Sequence, residues 1–230
     1  MGAMLRRTVL LSIAALAAAP LAAAQQGGDL RPRTAVSAPV QIVAIEGAER
    51  AAAIAAANAT LNAVQRMQGR FVQTSPDGSR VGGAFYMQRP GRLRFEYDPP
   101  ATLLIVSDGS VVAMRDTELR TTERTPLRST PLNLILGQTI NLERDARITR
   151  VSRSGPWTMI TARDRAGQTD GQITLNFYGA GAELRSWDVV DATGARTRIT
   201  LLELTQPASL DRRLFRLEDM ISGNRRGPGR

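Results

Sequence analysis

Aspartate, glutamate and arginine are the charged side chains this chain offers for chemistry. Its 230 residues include no His and no Cys, and all 30 basic residues are Arg. Without His, Cys or Lys the usual nucleophile and base pairings cannot be assembled. No Cys or His is present to hold a transition metal. Carboxylate pairs remain: Glu96/Asp98, Asp116/Glu118 and Asp188/Asp191. Two carboxylates facing a scissile bond are the machinery of glycoside hydrolysis. These six sit at strand ends and turns, where Asp commonly accepts local backbone hydrogen bonds. Solvation is the reading they favour. No G-x-S-x-G motif is present. The chain is therefore not expected to be an enzyme, and no cofactor or metal is expected.

One further charge asks for a role. In "FYMQRPGRLRFEYDPP", residues 85–100, two alternating apolar runs flank Pro90-Gly91. Alternation marks strands, and Pro-Gly marks the turn between them. A two-residue loop would pair Arg89 with Arg92 and place Arg94 and Glu96 beside Phe85 and Met87. A three-residue loop would pair Arg89 with Leu93. Phe85, Met87, Arg89, Leu93, Phe95 and Tyr97 then share one face, and Arg92, Arg94 and Glu96 face water. A one-residue slip exchanges the faces, so burial favours the second register. Gly91 would be central in that loop rather than third. Arg89 is then an inward charge at the rim of an apolar surface; the alternative is a strand-end Arg that snorkels to solvent.

Such a hairpin needs a frame. The chain opens with "MGAMLRRTVLLSIAALAAAPLAAAQQ", a basic start, a short apolar run and a small-residue cleavage site. This reads as a secretory signal peptide over residues 1–24, too short to be a membrane span. The mature protein is expected in the periplasm, and zero Cys leaves no site for an N-terminal lipid. Residues 25–47 are Gly-, Pro- and Ala-rich and read as a flexible lead-in, with residues 40–45 apolar enough to add a strand. A Pro-free, Ala-rich stretch over 49–67 places Ile54, Leu61, Val64 and Met67 along one stripe, an amphipathic helix.

From Gly69 the apolar period changes from helix to strand. About eleven short strands follow, punctuated by Asp77-Gly78, Pro90-Gly91, Asp108-Gly109, Gly155-Pro156 and Gly194. That is the pattern of an antiparallel meander or barrel. "RTPLRSTPLNLILGQT", 124–139, breaks the rhythm and reads as one or two inserted short helices. "SLDRRLFRLED" gives a helical turn and a last strand, and 221–230 reads as a disordered basic tail. The domain is expected over 48–220.

The formal charge is +9, two of it in the leader at Arg6 and Arg7. Scattered Arg without a recognition motif argues against nucleic acid as a partner. It leaves an attraction to anionic headgroups or acidic proteins.

In combination these features resemble the LolA family of periplasmic outer-membrane lipoprotein carriers, over about residues 51–219. The resemblance rests on "GRFVQTSPDGSRVGGAFYMQRPGRLRFEYDPP", "LLIVSDGSVVAM", "TPLNLIL" and "LFRLED". It implies a mainly β fold: an incomplete antiparallel β-barrel, apolar within, under a lid made of the 49–67 helix and the 126–137 insert. It implies a lipid-binding cavity. The face residues Phe85, Met87, Leu93, Phe95 and Tyr97 would line it, with Leu134 and Ile135 from the insert and Ile173, Leu175 and Phe177 from a later strand. It implies that Arg89, in the family's Arg-Pro position, locks the lid by donating to lid carbonyls, which lack partners at helix ends. The implied cargo is the acyl chains of lipoproteins. An ATP-driven release complex in the inner membrane would load the carrier, and an outer-membrane lipoprotein receptor would unload it. A monomer is expected. The family's receptor shares the fold but is lipid-anchored through a cysteine, which this chain lacks. Two other readings stay open: an envelope lipid-binding or lipid-sensing module of the same fold, and a barrel packed solid. With aromatic residues at 4%, few bulky groups are available to fill a wide barrel, which favours a hollow one.

Overall fold

The computed structural model describes residues 41–165 and 171–217. The signal peptide, most of the lead-in and the basic tail lie outside the described residues.

A two-residue strand, β1 (Val43–Ala44), precedes helix α1 (Gly47–Ala63). Six strands follow in an uninterrupted meander: β2 (Arg66–Thr74), β3 (Arg80–Gln88), β4 (Arg92–Tyr97), β5 (Leu103–Asp108), β6 (Val111–Asp116) and β7 (Thr121–Pro126). The insert carries a 3-10 turn (Leu127–Ser129), α2 (Asn133–Leu136) and α3 (Leu142–Asp145). A second meander comprises β8 (Ala146–Ser154), β9 (Trp157–Asp164), β10 (Gln172–Tyr178), β11 (Glu183–Val190) and β12 (Arg196–Thr205). All twelve strands among the described residues form one antiparallel sheet in the order β1-β8-β9-β10-β11-β12-β2-β3-β4-β5-β6-β7. The two meanders meet where β12 pairs with β2, and β1 and β7 are left as free edges.

That sheet is strongly curled. β4 and β11 are four strand spacings apart, about 19 Å on a flat sheet. Yet the Phe95 and Trp187 rings they carry lie 6.2 Å apart, centroid to centroid. Gly83 makes room for the curl. A Cβ there would meet Phe71 Cε1 at 2.6 Å and would press still harder on the Glu96 carbonyl. With no side chain at Gly83, the Phe71 ring settles against the backbone of β3. Phe71 packs edge-to-face on Phe95 at 4.7 Å and on Tyr97 at 4.9 Å, and Phe85 lies 5.3 Å from Phe95. Five of the ten aromatic residues are thus gathered at one level of the inner face. The barrel is neither hollow throughout nor packed throughout.

Several boundaries differ from the sequence reading, for identifiable reasons. α1 stops at Ala63 and Val64 is already extended. Met67 lies on β2, where it pairs with Met87; its apolar type suits the inner face of either element. β7 has the sequence TTERTP and is almost wholly exposed. An edge strand with no buried face carries no apolar alternation to read. The 3-10 turn Arg212–Phe215 lies against the outer face of β4 and β5. There Leu217 joins a small cluster with Leu104, Val106 and Ala113, and Arg94 donates to the Leu214 carbonyl at 3.3 Å. The outward face of the 85–97 hairpin is therefore covered in part rather than wholly wet. No strand follows the turn up to residue 217, and residues 218 and 219 of the expected last strand lie outside the described residues.

Candidate functional site

The hairpin joining β3 and β4 has a three-residue loop, with Gln88 opposite Arg92, Met87 opposite Leu93 and Phe85 opposite Phe95. The expected face is the one buried, but the pairing lies two residues from the expected one. The reason is Gly91, which has φ +75. A three-residue loop needs a left-handed residue at its third position, and the Arg89-Pro90-Gly91 loop puts the glycine there. Arg89 is accordingly a loop residue. It remains inward and is 6% exposed.

The tip is fixed by backbone groups on three sides. Arg89 N–H donates to the Gln65 carbonyl at 2.9 Å, extending the β2–β3 ladder to the foot of α1. Gly91 N–H donates to the Leu136 carbonyl at the end of α2, at 2.8 Å. The Ser107 hydroxyl, fully buried, donates to the Gly91 carbonyl at 2.6 Å. In the next hairpin Asp108 accepts from the N–H groups of Ser110 and Val111, which shapes its tip at Gly109. A Cβ on Gly91 would come within 2.5 Å of the Gly109 Cα. Residue type alone does not mark Ser107, Gly91 and Gly109 as site residues. The signal for them is the order of "QRPG" and "VSDG", since adjacent antiparallel hairpins bring their tips together.

The Arg89 side chain does something else. Its Nε and Nη1 atoms are buried and have no hydrogen-bond partner. Desolvation lowers its pKa from the usual arginine value to about 10. It is therefore charged at neutral pH, and two of the three nitrogens that share the charge have been taken out of water without a partner. The sign follows: the unfolded chain holds this proton more tightly, so the desolvation cost is complete below pH 10 and fades as the pH rises above it.

Beside the guanidinium lies an apolar cavity of about 300 Å³. Phe85, Met87, Arg89, Leu93 and Ile135 line it. So do Leu61 of α1, Val64 just after it, Met67 of β2, Leu184 and Trp187 of β11, and Leu201 and Leu204 of β12. Phe95, Tyr97, Leu134, Ile173 and Leu175 are buried in the core cluster behind or beside these walls. Tyr97 donates to Gln73 Oε1 at 2.6 Å, and burial raises its phenol pKa. Phe177 lines a second cavity of about 370 Å³ between α1 and β8–β10, with Ala52, Ala53 and Ala56.

Over the first cavity α1 buries Ile54, Ala57 and Leu61. Two large side chains contribute about 3–6 kcal/mol. Much of the remaining attachment is polar. Asn62 donates to the Ile140 carbonyl at 2.8 Å and accepts from its N–H at 2.9 Å. Asn58 accepts from Leu142 N–H at 3.0 Å, and Thr60 donates to the Gly181 carbonyl at 2.8 Å. Glu49 pairs with Arg153. Water can replace such bonds when they open. Asn58 and Asn62 are legible as a pair: Asn is a poor helix former, and two of them recur at one-turn spacing beside the apolar stripe. Asn62→Ala should leave Ile140, itself buried, without two partners. A loss of about 1–3 kcal/mol is expected, read as faster amide exchange across α1 with slower exchange preserved in β2 and β3.

Five of the six paired carboxylates have structural partners, and Glu118 is exposed. Glu96 pairs with Arg94 at 2.8 Å, Asp98 with Arg70, and Asp188 with Arg198 at 2.8 Å. Asp116 accepts from Thr102 and from the backbone of its own turn, which holds its pKa below the usual range, and Asp191 does the same with Thr193.

The family model described as "Outer membrane lipoprotein carrier protein LolA" matches residues 62–218. An outer-membrane lipoprotein carrier protein of Methylibium petroleiphilum is 31% identical over 175 residues, 71% of this chain and 84% of that protein. One from Methylococcus capsulatus is 30% identical over 166 residues, 67% of this chain and 78% of that protein. Among solved structures, a LolA superfamily protein from Nitrosomonas europaea overlaps with a TM-score of 0.43 at 10% identity, covering 73% of this chain and 97% of that one.

Proposed function

The chain belongs to the LolA family of outer-membrane lipoprotein carriers, and from that premise we propose that it is a periplasmic carrier for the acyl chains of lipoproteins. It would receive them from an ATP-driven release complex in the inner membrane and deliver them to an outer-membrane lipoprotein receptor. The observation that carries this reading is the apolar cavity of about 300 Å³ between α1, α2 and the inner face of β2–β4 and β11–β12. Its size is at the lower end for ligand pockets, so a cargo with several acyl chains requires α1 and α2 to lift. The hairpin tip at Arg89 serves as the lid's tie, through the Gly91–Leu136 bond, and releasing α2 widens the cavity. Among the described residues no helix is long and apolar enough to cross a membrane.

Release must compete with retention. Burying a methylene is worth about 0.8 kcal/mol, so several fully buried chains would not leave on a useful timescale. Partial burial is expected, with a triacylated lipopeptide bound far more weakly than full burial predicts. Displacement of an environment-sensitive apolar dye from the mature protein measures this. The non-acylated peptide should not compete. A folded sample that binds neither dye nor lipopeptide would sink the carrier reading. Mass spectrometry of protein isolated gently from the periplasm separates cargo classes: lipoproteins support the carrier, and free lipids alone support a lipid-binding module instead.

A further inference from the structure

The carrier role does not account for the guanidinium. Lipoprotein acyl groups present neutral ester and amide carbonyls, and a neutral acceptor leaves a buried charge uncompensated. Arg89 is 6% exposed, two of its nitrogens have no partner, and it lies in the wall of an apolar cavity. Glu183, the other charged lining residue among those described, is bound to Arg185 at 2.7 Å and does not reach it. Thr60 is likewise engaged, on the Gly181 carbonyl.

We infer that the same cavity binds a long-chain monocarboxylate, a free fatty acid, with its carboxylate on the Arg89 guanidinium and its hydrocarbon along Leu61, Met87, Trp187 and Leu201. One unpartnered cation calls for one negative charge. A carboxylate supplies that charge and two acceptor oxygens for charge-assisted bonds. A phosphate head would bring further oxygens needing donors, and the neighbouring Glu183 would repel its second charge. The inference shares only the cavity with the carrier reading, not its cargo.

Dye displacement by palmitate, methyl palmitate and hexadecyl phosphate, all below their aggregation concentrations, tests it on wild type and on Arg89→Leu. Palmitate should compete at a concentration about tenfold or more below that of the methyl ester, as one charge-assisted contact predicts. In Arg89→Leu the gap between acid and ester should close. Equal competition by acid and ester on wild type overturns the inference, whether or not the variant folds. So does stronger competition by hexadecyl phosphate, or a gap that survives in Arg89→Leu. A lipopeptide that competes while acid and ester do not differ leaves the carrier standing and removes the fatty acid. Palmitate preference without lipopeptide binding does the reverse.

Discussion

Arg89→Leu should hold acylated cargo longer than wild type and hand it over poorly. The substitution replaces a buried, unpartnered charge in the cavity wall with an apolar side chain. An acyl chain then meets a wall that is apolar throughout, and the desolvated guanidinium no longer opposes its entry. The expected change is a tenfold or greater fall in the release rate of a bound lipopeptide, since uncompensated burial of one charged group outweighs the roughly 1.4 kcal/mol of a factor of ten. The hairpin's ties to Gln65 and Leu136 are made by backbone N–H groups and survive the change. Lid exchange in the empty protein should therefore match wild type, and thermal stability should not fall. Loss of stability together with faster exchange in α1 and α2 would mean instead that the guanidinium itself holds the lid. Arg92→Leu, on the opposite face of the same hairpin, is the control and should release like wild type. Equal release by both variants would mean that the Arg89 charge does not govern release.

Gly91→Ala should damage both fold and function. The residue has φ +75, which costs a non-glycine residue about 1–2 kcal/mol. The new Cβ would also lie 2.5 Å from the Gly109 Cα and 2.7 Å from its carbonyl oxygen. Backbone cannot step aside as a flexible side chain can, and overpacking of this kind adds about 1–3 kcal/mol. A fall in melting temperature of roughly 10 °C is expected for a domain of this size. The shifted tip would also loosen the bond to Leu136, so α2 should exchange faster than wild type. Gly78→Ala isolates the first contribution, because Gly78 has φ +84 and a Cβ added there would meet nothing within 4 Å. If the two variants melt together, the contact between the hairpin tips is not what makes Gly91 necessary.

Strand alternation, turn residues and the break at 124–139 are local properties. They are enough to establish a β meander with an inserted helical segment, a helix before it, and an inward face carrying Phe85, Met87, Leu93, Phe95 and Tyr97. The absence of His, Cys and Lys is equally local and removes the nucleophile and base pairings that use them. Other features depend on partners far away in the chain. Phe95 and Leu93 alternate identically on β4, yet Leu93 borders the cavity and Phe95 lies in packed core. The difference is Trp187 and Phe71, brought in by the curl of the sheet. The hairpin register turns on one glycine's backbone conformation, which alternation cannot distinguish because a shift of two residues leaves every face unchanged. The state of Arg89 is hidden for a related reason. Its position on the inner face can be read from the hairpin, but whether it meets an acceptor there depends on where α2, β11 and the Asp108-Gly109 turn arrive. Only the tertiary structure brings those three elements to one point, and it leaves the guanidinium there buried, charged and facing an apolar space.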